Sequence, residues 1–178
     1  MADGESVPRL VLISGATGVG KTTLAKAVAH EMGLARIASS DTIREVMRAT
    51  AISSTPALNR SSYGRGEVGD AGTDWEDAAR AVEPGIDAVV ERARRQGVDL
   101  VLEGVHVIPS RRLLSAWETA GGAAVGLVVK IEDEGTHRER IEQREANTWR
   151  GAERYRIGFE RIRSIQRTIE EKGSGAEW

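Results

Sequence analysis

The sequence predicts a three-layer α/β fold in which a mostly parallel sheet is covered by helices on both faces. Short apolar runs alternate with longer helical stretches along the 178 residues, as expected for parallel strands joined by right-handed helical crossovers. The first run, RLVLIS over residues 9–14, has no polar alternation, which is typical of a strand buried on both faces. We expect one domain over residues 1–178, because a chain of this length can enclose a single core.

Composition limits the class of protein before any motif is considered. The chain has no cysteine, which excludes disulfides, thiolate metal sites and cysteine nucleophiles. Its formal net charge of −2 argues against general binding to nucleic acid or to membrane surfaces. No apolar run has the length of a membrane span, and the first residues lack a secretory pattern. We therefore expect a cytoplasmic enzyme or binding protein, with neither nucleic acid nor a membrane as its partner.

The first half of the chain gives three predicted elements after the first strand. Residues 1–8 are polar, and we expect them to be disordered. A helix is predicted from Gly20 to Met32, with Gly33 as its glycine stop. A second strand over residues 35–39 is followed by the helix TIREVMR, which we expect Asp41 to cap.

The middle of the chain is less regular. Residues 50–73 are rich in glycine and serine and are predicted to form an excursion over the rim of the ligand site. A long helix is predicted from Thr73 to Gln96, with an interruption near Pro84 and an end at Gly97.

The remaining elements are two strands and a helical end. The strands are predicted over residues 99–103 and 123–131, where the sequence is apolar. Residues 135–172 are helical in pattern and rich in arginine, and we expect them to form a lid and the C-terminal helices, with a break near Arg150. In a parallel sheet the ligand lies beyond the carboxyl ends of the strands, so the residues after each strand are the candidates for the site.

The strongest signal is a glycine-rich turn between the first strand and the first helix. It reads GATGVGKT over residues 15–22 and fits G-x-x-x-x-G-K-[S/T] at every fixed position. Such a P-loop turns backbone N–H groups toward a phosphate, and the helix N-terminus adds positive potential. We expect Lys21 to reach the β- and γ-phosphates of ATP and the Thr22 hydroxyl to bind Mg²⁺. The predicted nucleotide-binding residues are Gly15, Ala16, Thr17, Gly18, Val19, Gly20, Lys21, Thr22 and Thr23.

Two other classes of P-loop protein fit the sequence less well than a kinase. GTPases read guanine with Asn-Lys-x-Asp, and none of the four lysines here follows an asparagine. Motor ATPases usually need a longer chain. The P-loop therefore predicts a kinase fold with a helical lid.

Polar residues after the second and third strands are the predicted acceptor and metal ligands. Asp41 would take or orient the proton of the attacking hydroxyl, and Arg44, one turn later, would hold an anionic acceptor. Glu103 would bind Mg²⁺ or contact the acceptor, and His106 would contact the substrate. The alternatives are a helix cap with a solvated arginine, a buried capping carboxylate and a packing histidine.

Nine arginines and five glutamates lie between residues 138 and 167. Most of these charges are expected on a solvated helix face with Glu–Arg pairs. One or two of the arginines would neutralise charge in the transition state, and Arg144 and Arg150 are the catalytic candidates. His30 and His137 are both expected at the surface.

With these residues placed, the chain resembles the 2-phosphoglycerate kinase family of P-loop kinases. The matching stretches are ISGATGVGKTTLA, IASSDTIREVMR, ALNRSSY, VLEGVH and RYRIGFERIRSIQ. The resemblance implies ATP, Mg²⁺ and a small phosphorylated acceptor with a free hydroxyl. It also implies that Ser61, Ser62 and Tyr63 line the acceptor side of the site, within the excursion over residues 50–73.

Two departures from that family leave alternatives open. The segment GRGEVGDAG after Tyr63 is unlike the family pattern, so the acceptor could be 2-phosphoglycerate, a related metabolite, a secondary metabolite or an antibiotic. Members of the family usually continue into a further strand near the adenine, and we expect either a more open site here or a homodimer. An ATP-binding regulatory or assembly protein without phosphotransfer, and an RNA kinase that uses the arginine-rich end, are the other hypotheses.

Overall fold

The computed structural model describes residues 7–51, 55–146 and 153–178. Four parallel strands form one sheet in the order β2-β3-β1-β4. They are β1 (Arg9–Ser14), β2 (Ile37–Ser39), β3 (Leu100–Glu103) and β4 (Ala123–Val128). The predicted α/β class with a parallel sheet is confirmed, although β2 and β4 are shorter than their apolar runs.

The described part of the chain contains helices between and after these strands. They are α1 (Lys21–Met32), α2 (Ser40–Thr50), α3 (Pro56–Asn59), α4 (Ala71–Arg95), α5 (Arg111–Thr119), α6 (Glu134–Ala146) and α7 (Glu153–Gly175). Gly33 and Gly97 have φ angles of 65° and 61°, as expected of glycines that end helices. The predicted break near Arg150 falls outside the described residues.

The sheet is covered on both faces, which explains the unbroken apolar pattern of β1. Val11 and Ile13 of β1 belong to one apolar cluster with Ala25 of α1. Leu10 and Leu12, which alternate with them, belong to a second cluster that includes residues of α4 and α5. Successive side chains of a strand point to opposite faces, so the two clusters are the two interfaces of a three-layer structure. Each fully buried Leu or Ile stabilises the fold by about 1.5–3 kcal/mol.

A third apolar cluster lies where the P-loop meets the C-terminal helix. It joins Ala16 and Val19 of the P-loop to Trp75 of α4 and to Phe159 and Ile162 of α7. All five residues are buried. The phosphate-binding loop therefore packs against α7, the last helix of the described chain.

The start of α2 differs from the prediction. Ser39 is the N-cap, and its side chain accepts a hydrogen bond from the Asp41 backbone N–H. Asp41 lies in the first turn instead, and its side chain is exposed. The expectation that Asp41 caps the helix was wrong because a serine two residues earlier has the same capping ability.

Helix α4 also differs, because it continues through Pro84 without interruption. A proline inside a helix removes one backbone hydrogen bond, and the sequence pattern cannot show what compensates for it. Gly85 packs so closely against Ile43 and Met47 of α2 that a Cβ atom there would lie 2.5 Å from each. Tertiary packing of α2 on α4 thus holds the helix together at this point. Among the described residues, no helix is both long enough and apolar enough to cross a membrane.

Candidate active site

The P-loop connects β1 to α1, and its residues occupy the carboxyl edge of the sheet. Gly20 precedes the first helical residue with φ 99°, in the left-handed region that favours glycine. The Thr22 hydroxyl donates a hydrogen bond of 3.0 Å to Glu103 Oε1. Lys21 Nζ donates a hydrogen bond of 2.7 Å to the Ala16 carbonyl. The loop thus brings the predicted lysine, threonine and glutamate together.

The surroundings of Lys21 change its acid–base behaviour. The pKa of Lys21 is lowered to about 8, because burial and the nearby Arg144 charge together outweigh the opposite effect of the Glu103 and Asp41 carboxylates. These effects require that the named groups lie within electrostatic reach of the ammonium. Lysine, two carboxylates and a lid arginine therefore share one site.

Thr22 and Glu103 form an oxygen donor set that fits Mg²⁺. Mg²⁺ is usually held by one or two protein oxygen ligands, with water and substrate phosphates as the others. The buried Glu103 carboxylate stands at the end of β3, next to the hydroxyl that follows the P-loop lysine. The chemistry of these two groups meets that requirement.

Asp41 lies beside His106 at the start of α2. Asp41 Oδ1 and His106 Nδ1 are 3.4 Å apart, and the His106 side chain is only 1% exposed. The Ser40 hydroxyl is 3.2 Å from the same ring nitrogen. Burial lowers the pKa of His106 to about 4, with smaller contributions from Arg44 and Lys21, while Asp41 acts in the opposite direction. At neutral pH the imidazole is uncharged, and it lies behind Asp41 rather than at the surface of the site.

The approach of α2 to the loop after β3 depends on a glycine. A Cβ atom at Gly104 would lie 1.8 Å from the Ser40 hydroxyl oxygen, and the φ angle of Gly104 is +153°. Both facts exclude a side chain there without movement of the helix. The Gly104 in VLEGVH is therefore what allows His106 to reach Asp41.

Two buried hydrogen bonds fix the loop that carries Glu103 and His106. Trp75 Nε1 donates to the Val105 carbonyl at 2.7 Å, and the Ser14 hydroxyl donates to the Val107 carbonyl at 2.6 Å. The sequence reasoning did not identify either group. Their partners lie 30 and 93 residues away in the chain, so no local pattern could have paired them.

The segment with Ser61, Ser62 and Tyr63 lies next to Arg44. Arg44 Nη2 donates to the Arg60 carbonyl at 2.7 Å, and Arg60 Nη2 donates to the Asp74 carbonyl at 2.6 Å. The structure therefore brings together the acceptor residues that the sequence placed on two separate segments. We define residues 60–70 as the acceptor loop.

Arg161 of α7 holds the acceptor loop in place, a role that sequence reasoning missed. Its guanidinium donates to the carbonyls of Tyr63, Gly69 and Gly64 at 3.0, 2.8 and 3.3 Å. It also donates to Asp74 Oδ2 at 2.7 Å. One side chain of the C-terminal helix thus fixes three points of the loop.

Helix α6 supplies the lid arginines and lies close to the P-loop. The Arg144 guanidinium lies 5.5 Å from the centre of the Tyr155 ring, and its charge acts on Lys21. Arg150, the other predicted catalytic arginine, lies outside the described residues. Arg140 was not singled out from the sequence, yet its Nη1 would be 3.9 Å from a Cβ atom at Gly20. It is the lid arginine that the described residues place against the P-loop backbone.

Comparison with known proteins points in the same direction as the motifs. A family model described as an AAA domain matches residues 10–171. A protein of Methanopyrus kandleri named 2-phosphoglycerate kinase is 36% identical over 168 residues, which are 89% of this chain and 51% of that protein. A protein of Methanothermobacter thermautotrophicus with the same name is 34% identical over 177 residues, 92% of this chain and 56% of that protein. The resemblance predicted from the sequence is confirmed, and the chain spans about half the length of these relatives.

Among solved structures, the chain is similar to part of an RNA repair complex of Pnkp1, Rnl and Hen1. The TM-score is 0.52 and the identity 14%, and the match covers 96% of this chain and 48% of the other. At that identity the similarity shows the fold alone.

Proposed function

Because the chain belongs to the AAA domain family, whose model matches residues 10–171, we propose that it is an ATP- and Mg²⁺-dependent kinase of a small hydroxylated molecule. The observation that carries the proposal is the proximity of three groups at one sheet edge: the half-buried P-loop lysine, the Thr22–Glu103 pair and Asp41. The acceptor we propose first is 2-phosphoglycerate, the substrate in the names of the relatives. A homodimer and a cytoplasmic location stay predictions from the sequence.

In the proposed reaction each residue has a separate task. The acceptor hydroxyl oxygen bonds to the γ-phosphorus as the bond to the β–γ bridging oxygen breaks, and ADP leaves. Asp41 takes the hydroxyl proton, and its exposed carboxylate is accessible to an acceptor. Lys21 neutralises charge that develops on the phosphoryl oxygens. Thr22 and Glu103 would hold Mg²⁺, which supplies further positive charge between the phosphates.

The charge near the acceptor loop supports an anionic acceptor. The Nε atoms of Arg44 and Arg60 are buried, and no acceptor for either is found among the described residues. A buried guanidinium N–H without a partner is costly, and arginine pairs well with phosphate and carboxylate groups. The charges of these two arginines, which lie beside the acceptor loop, would favour a phosphorylated or carboxylated acceptor there.

The test is ADP release from ATP and Mg²⁺ in a coupled assay, across hydroxylated acceptors that include 2-phosphoglycerate. We expect turnover with an anionic acceptor, and Asp41→Asn should lower kcat by about 10²–10⁴-fold, the usual contribution of a general base. The matched control is Asp77→Asn, because Asp77 is an exposed aspartate of α4 away from the site. If ATP binds but no acceptor causes ADP release, the kinase hypothesis is contradicted and a nucleotide-binding regulator is favoured instead.

A further inference from the structure

His137 of α6 is fully buried against the P-loop, so the expectation that it lies at the surface was wrong. Its Nε2 atom is 2.8 Å from the Thr17 carbonyl oxygen. A carbonyl oxygen only accepts hydrogen bonds, so Nε2 carries the proton and donates it to Thr17. A side chain 120 residues further along the chain thus holds one peptide group of the phosphate-binding loop.

The other ring nitrogen of His137 is fixed by α7. Nδ1 lies 3.4 Å from Nη1 of Arg163, which is a donor at any ordinary pH. Arg163 is itself held by the carbonyls of Ile131 and Glu132, at 2.6 and 2.9 Å. Nδ1 must therefore accept, and only the neutral imidazole with its proton on Nε2 satisfies both neighbours.

The charges around His137 also favour the neutral form of its ring. Burial lowers the pKa of His137, and the cations of Arg163, Lys21 and Arg140 lower it further, whereas the hydrogen bond to Thr17 raises it. A protonated ring would also direct an Nδ1–H at the Arg163 guanidinium. The ring therefore stays neutral and keeps one orientation.

Close packing keeps α6 on the P-loop at the same place. A Cβ atom at Gly18 would lie 2.4 Å from Ile141 Cγ1, and Gly18 has φ 86°, so only glycine fits beneath the helix. The His137 ring also meets the edge of Phe159, with ring centres 5.5 Å apart. Helix α6 is therefore packed directly on the tip of the loop.

The orientation of one peptide group follows from this contact. The structure has no cis peptide bonds among the described residues, and in a trans peptide the C=O and the following N–H point in opposite directions. Since the Thr17 carbonyl is directed at His137, the Gly18 N–H is directed away from α6. Inward-turned N–H groups of this kind are what a P-loop offers to a phosphate.

We propose that His137 is a positioning residue for nucleotide binding, which presets the Gly18 N–H by holding the Thr17 carbonyl. It contacts neither the phosphates nor the acceptor and acts through the loop alone. Without it the 17–18 peptide could rotate, and the nucleotide would have to order the loop at a cost in affinity. The inference rests on the proposed function only for the ligand, a nucleoside triphosphate.

Two amide substitutions separate this role from simple packing. The amide N–H of glutamine can reach the position of Nε2, whereas the shorter asparagine places its N–H nearer to Nδ1. We expect His137→Gln to bind ATP–Mg²⁺ within about threefold of the wild-type Kd and His137→Asn to bind about tenfold more weakly, the effect of one net hydrogen bond. His30→Asn is the matched control, because His30 is exposed on α1, and it should leave the Kd unchanged.

The measurement is isothermal titration with ATP–Mg²⁺ and no acceptor, so phosphotransfer does not enter the result. Equal affinity of the Gln and Asn variants would overturn the inference while leaving the proposed kinase intact. Failure of the wild-type protein to bind ATP would overturn both. If a variant does not fold, nitrogen NMR of the wild-type imidazole decides: a neutral ring protonated on Nε2 supports the inference, and a charged or Nδ1-protonated ring at pH 7 contradicts it.

Discussion

His106 and Asp41 show how a buried group can act on an exposed one. His106 Nδ1 lies 3.4 Å from Asp41 Oδ1 and 3.2 Å from the Ser40 hydroxyl oxygen. Because a carboxylate can only accept hydrogen bonds, the contact with Asp41 favours the neutral ring with its proton on Nδ1. Its Nε2 is then an acceptor, and no donor to it is found among the described residues. The sequence predicted that His106 contacts the substrate, but its burial supports a role through Asp41 instead. We propose that it sets the direction of that carboxylate.

Substitution of His106 should therefore affect catalysis more than nucleotide binding. In His106→Asn the amide N–H can replace Nδ1–H, and we expect kcat within about threefold of wild type. In His106→Gln the N–H lies too far along the side chain to contact Asp41, and we expect kcat about tenfold lower with the KM for ATP unchanged, because the contact that orients the carboxylate is lost.

Steady-state kinetics of both His106 variants, with melting temperatures to verify folding, provide the check. The order of the two amides is the reverse of that expected at His137, because the other ring nitrogen is the donor. Two variants with the same kcat would show that His106 only fills space.

At the scale of elements, α7 determines the shape of the acceptor loop. Burial by itself raises the pKa of Asp74, but N–H groups of Gly66 and Gly69 and the Arg161 guanidinium hold that pKa below its usual value. Asp74 is thus a buried carboxylate that accepts hydrogen bonds from the loop and from the helix. Removing one partner of such a pair leaves a charge unpaired, at a cost of about 3–5 kcal/mol.

Arg161→Lys should loosen the acceptor loop while keeping the positive charge beside Asp74. Lysine is a point charge and cannot reproduce the planar fork that serves several acceptors. We expect the KM for the acceptor to rise by about tenfold, the equivalent of about 1.4 kcal/mol, with the KM for ATP within a factor of two. Initial rates at varied acceptor and ATP concentrations measure the two constants separately.

The control for Arg161→Lys is Arg167→Lys, because Arg167 is an exposed arginine of the same helix. It should leave both constants unchanged. If Arg161→Lys raised the KM for ATP and the KM for the acceptor equally, the contacts of Arg161 would support the fold in general rather than the acceptor loop in particular.

On the scale of the whole molecule, α7 joins the two halves of the site. Arg163 and His137 connect it to the P-loop, and Arg161, two residues before Arg163, connects it to the acceptor loop. Along the chain, the P-loop follows β1 of the sheet and the acceptor loop precedes α4. One helix is therefore in contact with both the P-loop side and the acceptor loop of the proposed site.

Nucleotide binding should stabilise the whole fold in a pH-dependent way. At 100 times the Kd a ligand adds about 2.7 kcal/mol to the free energy of unfolding, which for this size raises the melting temperature by about 5–10 °C. The pKa of Lys21 is lowered to about 8 in the free protein, and bound phosphates favour its charged form. Above pH 8 binding must then take up a proton, so the Kd for ATP rises and the stabilisation shrinks.

Thermal melts with and without ATP–Mg²⁺, at pH 7 and pH 9.5, measure this linkage. Lys21→Ala should lose most of the stabilisation at both pH values, and its pH dependence should disappear. A shift in the wild-type protein that is equal at both pH values would show that Lys21 keeps its charge throughout and does not titrate with binding.

Features that depend on neighbours along the chain could be predicted from the residues alone. Residues 15–22 predicted the P-loop because its spacing is local, and RLVLIS predicted a strand buried on both faces because its four central residues are all apolar. The turn chemistry of Gly33 and Gly97 ended two helices as expected. The positions after the strands also predicted where Asp41 and Glu103 would meet Lys21, because the carboxyl ends of parallel strands share one edge.

Only the tertiary structure decided which distant groups act on these residues. His137 lies 120 residues from Thr17, Arg161 lies 98 from Tyr63, and His106 lies 66 from Ser40. Hydrophobic periodicity and turn propensity report on neighbours within a few positions, so a buried histidine on an arginine-rich helix reads like a solvated one. Pro84 illustrates the same limit, because α4, which packs against α2, continues through a proline at which local rules predict an interruption. The residue types that carry the chemistry could therefore be read from local motifs. Their positions are fixed by contacts between distant residues, which exist only in the folded chain.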